Sequence, residues 1–287
     1  MKKMLKVLGL FSFIFFLSGC LNDDKLSNDN VYTSIYPIQY LTEYLYGEQK
    51  TVASIYPNGA DVSKYELTNK QKETYHKGAL FVYNGLTNEK ELAREFLNDN
   101  KNILLIDVSY GLSYEDSIEE LWLSPNNYLM LAKNIKNNLI EYTTSKTVID
   151  TIENKYKELE EELSYMDADL RNIANSANFD GNSILVVSSN KLKFLENYGF
   201  EVIVLNSDNI NPTSVKSNFK NEKYKDIYLC NTDEKSELIT ELEKDYKANI
   251  INVNVMQTLT DGDVASNENY LTIMQNFIDK IRNTALS

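Results

Sequence analysis

Between Ser145 and Asn178 the chain runs without a proline or a glycine, and its apolar residues recur as Val148, Ile152, Tyr156, Leu159, Leu163, Met166, Leu170 and Ile173. Steps of three and four put all eight on one helix face. At about 1.5 Å per residue the stretch is roughly 50 Å long. A helix of that length overshoots a single small core. It is either a coiled-coil arm or a span fixing two packed units, and the flanking sequence decides between them. Gly181 is the expected stop.

Both flanks carry the same rhythm. Short apolar or β-branched runs at 31–35, 51–55, 79–83 and 103–106 alternate with helical spacing at 39–46, 69–77 and 89–98. After the stripe, runs at 183–187, 201–205, 226–229 and 249–253 recur, with helical stretches at 191–197 and 235–247. Strand and helix in alternation imply a mostly parallel sheet with helices on its faces. The expected fold class is therefore α/β with two lobes, each a mostly parallel four-stranded sheet flanked by helices, joined by one long linking helix. The expected division is 31–144 for the first lobe, 145–178 for the linking helix and 179–287 for the second lobe.

The N-terminus is a separate matter. Lys2, Lys3 and Lys6 precede an apolar run over 7–17, which has the length of a signal-peptide core and is short for a membrane span. It ends in Leu17-Ser18-Gly19-Cys20, which resembles a bacterial lipobox, in which the chain is cut before the cysteine and the thiol is lipidated. Residues 1–19 then form a lipoprotein signal peptide, and 20–30, polar and aperiodic, a flexible tether. The implied location is the outer face of the cell membrane, held by the lipid on Cys20.

Composition narrows the chemistry. The formal net charge is −13, which opposes sequence-independent nucleic-acid binding. There is one histidine, His76, and there are two cysteines. Neither a His-based triad nor a His-rich zinc site can be assembled from these. Cys230, inside an apolar strand-like run, reads as a buried, inert thiol. The chain has no Gly-x-Ser-x-Gly elbow, no phosphate-binding glycine loop and no His-Glu-x-x-His. It is not expected to be an enzyme.

Local segments add a resemblance that covers nearly all of the chain after the tether. Val31-Tyr-Thr-Ser-Ile-Tyr-Pro37, Ile55-Tyr-Pro-Asn-Gly-Ala-Asp-Val-Ser-Lys-Tyr-Glu-Leu-Thr68, Leu80-Phe-Val-Tyr-Asn-Gly85, Trp122-Leu-Ser-Pro125 and Asn197-Tyr-Gly-Phe200 follow one another in family order. On these the chain resembles the zinc- and manganese-binding solute-binding lipoproteins of bacterial ABC importers. The resemblance implies an ABC permease and its ATPase as partners, a monomer, and a divalent metal ion held between the lobes by three histidines and one acid. By local register those ligands fall at Ser63, Glu120, Ser188 and Asn254. None is a histidine, and His76 lies in a different helix.

One carboxylate, two hydroxyls and an amide make a poor zinc set. At most they leave a loose site for an oxygen-seeking cation around Glu120. Asp61, Glu66, Glu115 and Asp116 lie near the first two positions in sequence; they either supplement the site or are solvated loop acids, the reading that the acidic composition favours. The expectation is a degenerate metal site. Two other readings stand beside it: a binder of a small polar organic solute, and a surface interaction or adhesion protein that keeps only the fold. Tyr36, Tyr56, Tyr65 and Trp122 are the candidate cleft walls.

Overall fold

The computed structural model describes Leu26 and residues 30–286. The segment read as a signal peptide and Cys20 lie outside the described residues. Four strands, β1 (Val31–Thr33), β2 (Val52–Ser54), β3 (Leu80–Tyr83) and β4 (Leu104–Asp107), form the first sheet in the order β2-β1-β3-β4. All neighbours are parallel, with Val31 opposite both Val52 and Leu80, and Leu80 opposite Leu104. The second sheet repeats the pattern with β5 (Ile184–Val187), β6 (Glu201–Val204), β7 (Asp226–Cys230) and β8 (Asn249–Val253), in the order β6-β5-β7-β8, again all parallel.

The connections are α1 (Tyr36–Tyr46), α2 (Asn69–Tyr75) and α3 (Glu89–Asp99) in the first lobe. In the second they are a 3₁₀ helix (Asn190–Tyr198), α7 (Pro212–Lys220) and α8 (Glu237–Tyr246). Between the sheets run α4 (Glu120–Leu123), α5 (Pro125–Tyr142) and α6 (Lys146–Asp180), and the chain closes with α9 (Asp261–Ala265) and α10 (Tyr270–Ala285). Of these, α4, α5, α7, α9 and α10 were not among the expected helices. Proline sits in the first turn of α1, α5 and α7, where its missing N–H costs nothing.

The expected long stripe is α6, 35 residues, or roughly 52 Å. It ends on Gly181 at φ 75°, a left-handed cap that a side chain would resist. Ile152, Leu159, Leu163 and Leu170 are fully or almost fully buried along it. One face packs on α1 and α5, another stretch on α10 and the 3₁₀ helix, so α6 spans the lobes rather than projecting as an arm.

The central strands β1, β3, β5 and β7 are buried on both faces, as parallel sheets require, while the outer strands are partly open. Val31, Leu80, Val82 and Ile106 face the interior shared with α6, as do Leu185, Val187, Tyr228 and Val253 from the other sheet. The alternate residues turn outward: Tyr32 and Phe81 meet Phe96 of α3, while Val186, Ile227 and Leu229 meet α7 and α8. A single apolar cluster therefore runs through both lobes, with one smaller cluster on each outer face. Leu26 belongs to the shared cluster and is buried, so the segment read as a tether touches the fold at that residue.

Polar contacts stitch the lobes further. Trp122 donates its Nε1–H to the Val255 carbonyl at 2.8 Å, and the Tyr270 hydroxyl donates back to the Trp122 carbonyl at 2.6 Å. The Tyr270 ring stacks on Tyr128, with centroids 3.8 Å apart. Among the described residues no helix is long and apolar enough to cross a membrane.

Candidate functional site

In a parallel sheet the loops leaving the carboxyl ends of the strands diverge where the strand order reverses, and the crevice left there is the usual ligand site. The order of each sheet reverses between its first and third strands, so each lobe has such a point. The two sets of loops face one another across a chamber of about 550 Å³. The first lobe contributes Gly59 to Lys64, from the loop after β2, and Glu119 before α4. The second contributes Lys191, the Asn231–Glu234 turn after β7, and Gln257 to Thr260 after β8.

Each wall is fixed locally. Gly59 holds φ 73°, and its N–H donates across the cleft to the Leu259 carbonyl at 2.8 Å. Asp61 turns the following loop by accepting both the N–H and the hydroxyl of Ser63, at 3.0 and 2.6 Å. Gln257 bridges the lobes in two ways: its side chain donates to Glu119 at 3.0 Å and its carbonyl accepts from the Tyr36 N–H at 3.0 Å.

The charged centre is a Ser188–Asp233–Lys191 cluster. Ser188 is fully buried at the end of β5; its hydroxyl donates to Asp233 at 2.6 Å and accepts from the Cys230 N–H at 3.1 Å. The Lys191 ammonium pairs with the other oxygen of Asp233. Burial alone pushes the Asp233 carboxyl up, but the Lys191 and Ser188 contacts outweigh it and hold the group below its ordinary range. For Lys191 burial opposes the charge, and Asp233 reverses this, leaving the ammonium more firmly protonated than usual. Beneath them the Cys230 thiol is pushed up to about 12 by burial, which keeps it neutral and unreactive at neutral pH.

The four positions singled out by register are not brought together. Ser63 lines the chamber and bonds to Asp61. Ser188 lies under the chamber floor with its hydroxyl committed to Asp233. Glu120 turns away, accepting the Glu115 N–H at 2.8 Å, while Glu119 lines the chamber. Neighbouring residues on a helical turn point about 100° apart, so only one of the two can face the cleft. Asn254 lines a smaller depression beside α10, where it donates to Asp263 at 3.0 Å and accepts the Met256 N–H at 2.9 Å. That second bond supports Met256 at φ 58°, a backbone conformation rare outside glycine, and so shapes the loop that carries Gln257.

The flanking acids divide. Asp61 lines the chamber, whereas Asp116 pairs with Lys193 at 2.7 Å and joins the lobes. Of the expected wall residues, Trp122 and Tyr56 line a second chamber beside the first. Tyr36 and Tyr65 line neither: Tyr36 is buried beside Tyr40, and Tyr65 packs on Tyr56 and accepts from Gln71 at 2.7 Å. His76 caps α2, its Nδ1 lying 3.6 Å from Asp99, and lines neither chamber.

Sequence reasoning missed Glu119, Lys191, Asp233 and Gln257. Lys191 and Asp233 carried a usable signal, since each follows directly on an expected strand of the second lobe and strand ends are where such sites are built. Among the described residues no three His, Cys, Asp or Glu side chains are grouped so as to hold a metal ion. Asp61, Glu119 and Asp233 share the chamber without converging on one point.

The resemblance drawn from local segments is borne out. The chain's fold is that of the metal-dependent lipoprotein YcdH of Bacillus subtilis, with a TM-score of 0.74 at 18% identity over 91% of this chain and 100% of that one. The zinc-bound ZnuA-like domain of Streptococcus pneumoniae AdcA superposes with a TM-score of 0.73 at 20% identity, again over 91% and 100%. A periplasmic metal-binding protein of Candidatus Liberibacter asiaticus gives 0.69 at 18% over 90% and 100%. At these identities the superpositions speak for the fold. Membership rests on the family model of the zinc-uptake complex component A periplasmic proteins, which matches residues 31–284. With almost the whole described chain matched, this protein belongs to the ZnuA family, the solute-binding components of zinc and manganese ABC importers.

Proposed function

We propose that the chain is an extracytoplasmic, lipid-anchored, monomeric solute-binding protein that serves an ABC permease and its ATPase, and that its inter-lobe chamber does not hold zinc. Its role is binding rather than catalysis. The observation that carries this reading is the Lys191–Asp233 pair beside Ser188, the position where the resemblance puts the third histidine. Zinc takes imidazole nitrogen or thiolate sulfur at about 2.0–2.3 Å. Here the nearby hydroxyl is spent on Asp233, and the best chamber carboxylate is neutralised by the chain's own ammonium. A cation brought within about 4 Å of that ammonium meets a repulsion of roughly 4 kcal/mol per unit charge at an effective dielectric of about 20.

The test is elemental analysis of the full chain, purified in detergent and dialysed against a weak chelator. Zinc well below one ion per chain is expected; a stoichiometric content overturns the proposal. Lys191→Met sharpens the experiment. It frees Asp233 of its counter-charge in a chamber that Glu119 also lines, and weak binding of manganese or calcium in the variant is expected where the parent shows none.

The anchor is tested separately. The Cys20→Ala chain is expected to remain an uncleaved, unlipidated precursor that no longer partitions like the parent protein into detergent. An unchanged mature size and partitioning rejects the lipid anchor.

A further inference from the structure

A second chamber, about 300 Å³ and lined by the first lobe apart from Gln257, opens beside the larger one and shares only Ser63 and Gln257 with it. That size is at the lower end for small-molecule sites. Its place in the fold is not accidental. Ile35 follows β1 and the Asn84–Glu89 segment follows β3, the two strands between which the order of the first sheet reverses.

Its walls are mostly apolar, formed by Ile35, Tyr56, Val62, Leu92, Ile118 and Trp122. Into this cup comes one ionisable group, the carboxylate of Glu89, whose residue is only 6% exposed. One of its oxygens accepts the Asn84 N–H at 2.7 Å. No lysine or arginine lines the chamber. The acid behind it, Asp107, accepts from the N–H groups of Gly85 and Ser109 at 2.9 and 3.0 Å and from the Ser109 hydroxyl at 2.8 Å. Neither carboxylate has a basic partner among the described residues.

We propose that this chamber binds a small organic ammonium, its charged head on Glu89 and its apolar body against Tyr56 and Trp122. A buried carboxylate without a counter-charge is costly, and a cation entering the cup removes that cost. Aromatic walls favour the same guest, because ring faces attract ammonium groups and apolar surface leaves water on contact. Burial also pushes the Glu89 carboxyl up to about 7, with Asp107 adding to the shift and the Asn84 and Ser34 contacts opposing it. That is the behaviour of an acid lacking its cation. A divalent metal suits the cup poorly, since calcium or magnesium asks for about six oxygen ligands, often several of them carboxylates, and Glu89 is the one carboxylate that lines it. An anion meets Glu89 with nothing to offset it. The proposal does not depend on whether zinc enters the larger chamber, because Lys191 and Asp233 take no part in it.

The experiment is calorimetric titration and thermal shift of the full chain in detergent with three probes of one shape: phenethylamine, 2-phenylethanol and 3-phenylpropionate. Phenethylamine is expected to bind saturably at one per chain, with the alcohol and the carboxylate weaker by about tenfold or more, the usual worth of a charge-assisted contact. Glu89→Gln, which keeps an acceptor for Asn84, should weaken the amine by a similar factor. Leu92→Trp should abolish binding by filling the cup while leaving Glu89 in place. The proposal is overturned if the amine fails to saturate by about 10 mM, if the alcohol binds as well as the amine, or if a folded variant binds it like the parent. Should neither variant fold, the ranking of the three probes on the parent decides alone.

Discussion

At the scale of single residues, two buried carboxylates show how environment sets the behaviour of one functional group. Asp233 has an ammonium and a hydroxyl and stays ionised. Glu89 has a backbone N–H and an apolar cup, and its carboxyl rises from an ordinary 4.5 to about 7, chiefly through burial. The consequence for stability has a definite sign. Between those two values the folded chain keeps a proton that the unfolded chain has released. Stability from this group is therefore present below about 4.5 and declines as pH rises through about 7, by roughly 3 kcal/mol in all. Glu89→Gln removes the term, so denaturation at pH 5 and pH 8 should show the variant gaining on the parent toward alkaline pH. A parent–variant difference that stays flat across that range would show that Glu89 is not held protonated. The residue scale is also where the sequence was least legible. The family register gave positions along the chain, but whether Glu119 or Glu120 enters the cleft depends on the rotation of a four-residue helix, which no local pattern encodes. Asn254 was singled out for a cation and instead supports a turn. The absence of histidine at the three positions where the resemblance expects it was plain in the sequence; that Lys191 pairs with Asp233 beside Ser188 needed the fold.

At the scale of elements, the eight strands lie where their apolar runs are, each within a residue or two, because strands buried on both faces leave continuous Val, Ile and Leu segments. The long stripe likewise became α6 with its ends nearly as expected. The longer helices that escaped notice, α5, α7 and α10, have a reason in common. Asn and Lys between their apolar positions weaken the period in each. Yet α5 and α10 are what α6 packs on, so the element most visible in sequence is held by two that were not. Because the apolar cluster along α6 continues into both sheets, damage at its middle should be felt by the whole molecule. Leu163→Ala, at a position only 1% exposed, is expected to cost about 2–5 kcal/mol. Calorimetry should show one transition moved to lower temperature. Two transitions, with only one displaced, would mean that the lobes unfold independently and that α6 does not couple them.

At the scale of the whole molecule, the same construction limits how the chain can respond to a ligand. Hinged binding proteins close because a few residues between their lobes absorb large backbone changes. Here the lobes share an unbroken helix and a continuous core. They are further joined by Trp122 to Val255, Tyr270 to Trp122, Gly59 to Leu259 and Asp116 to Lys193. Opening the cleft by hinging would break these contacts together and pull apart the Tyr128–Tyr270 stack. Adjustment on binding is therefore left to the loops that line the chambers, above all the 57–64 segment and the turn carrying Gln257. Nitroxides at Glu73→Cys on α2 and Lys244→Cys on α8 report directly on the distance between the lobes; both positions are exposed, and Cys230 is too buried to take a label. With phenethylamine added, the distance between the two labels is expected to move by less than about 2 Å, the range of pre-organised partners. A larger contraction would mean that the contacts along the cleft exchange on binding, and that α6 bends rather than braces.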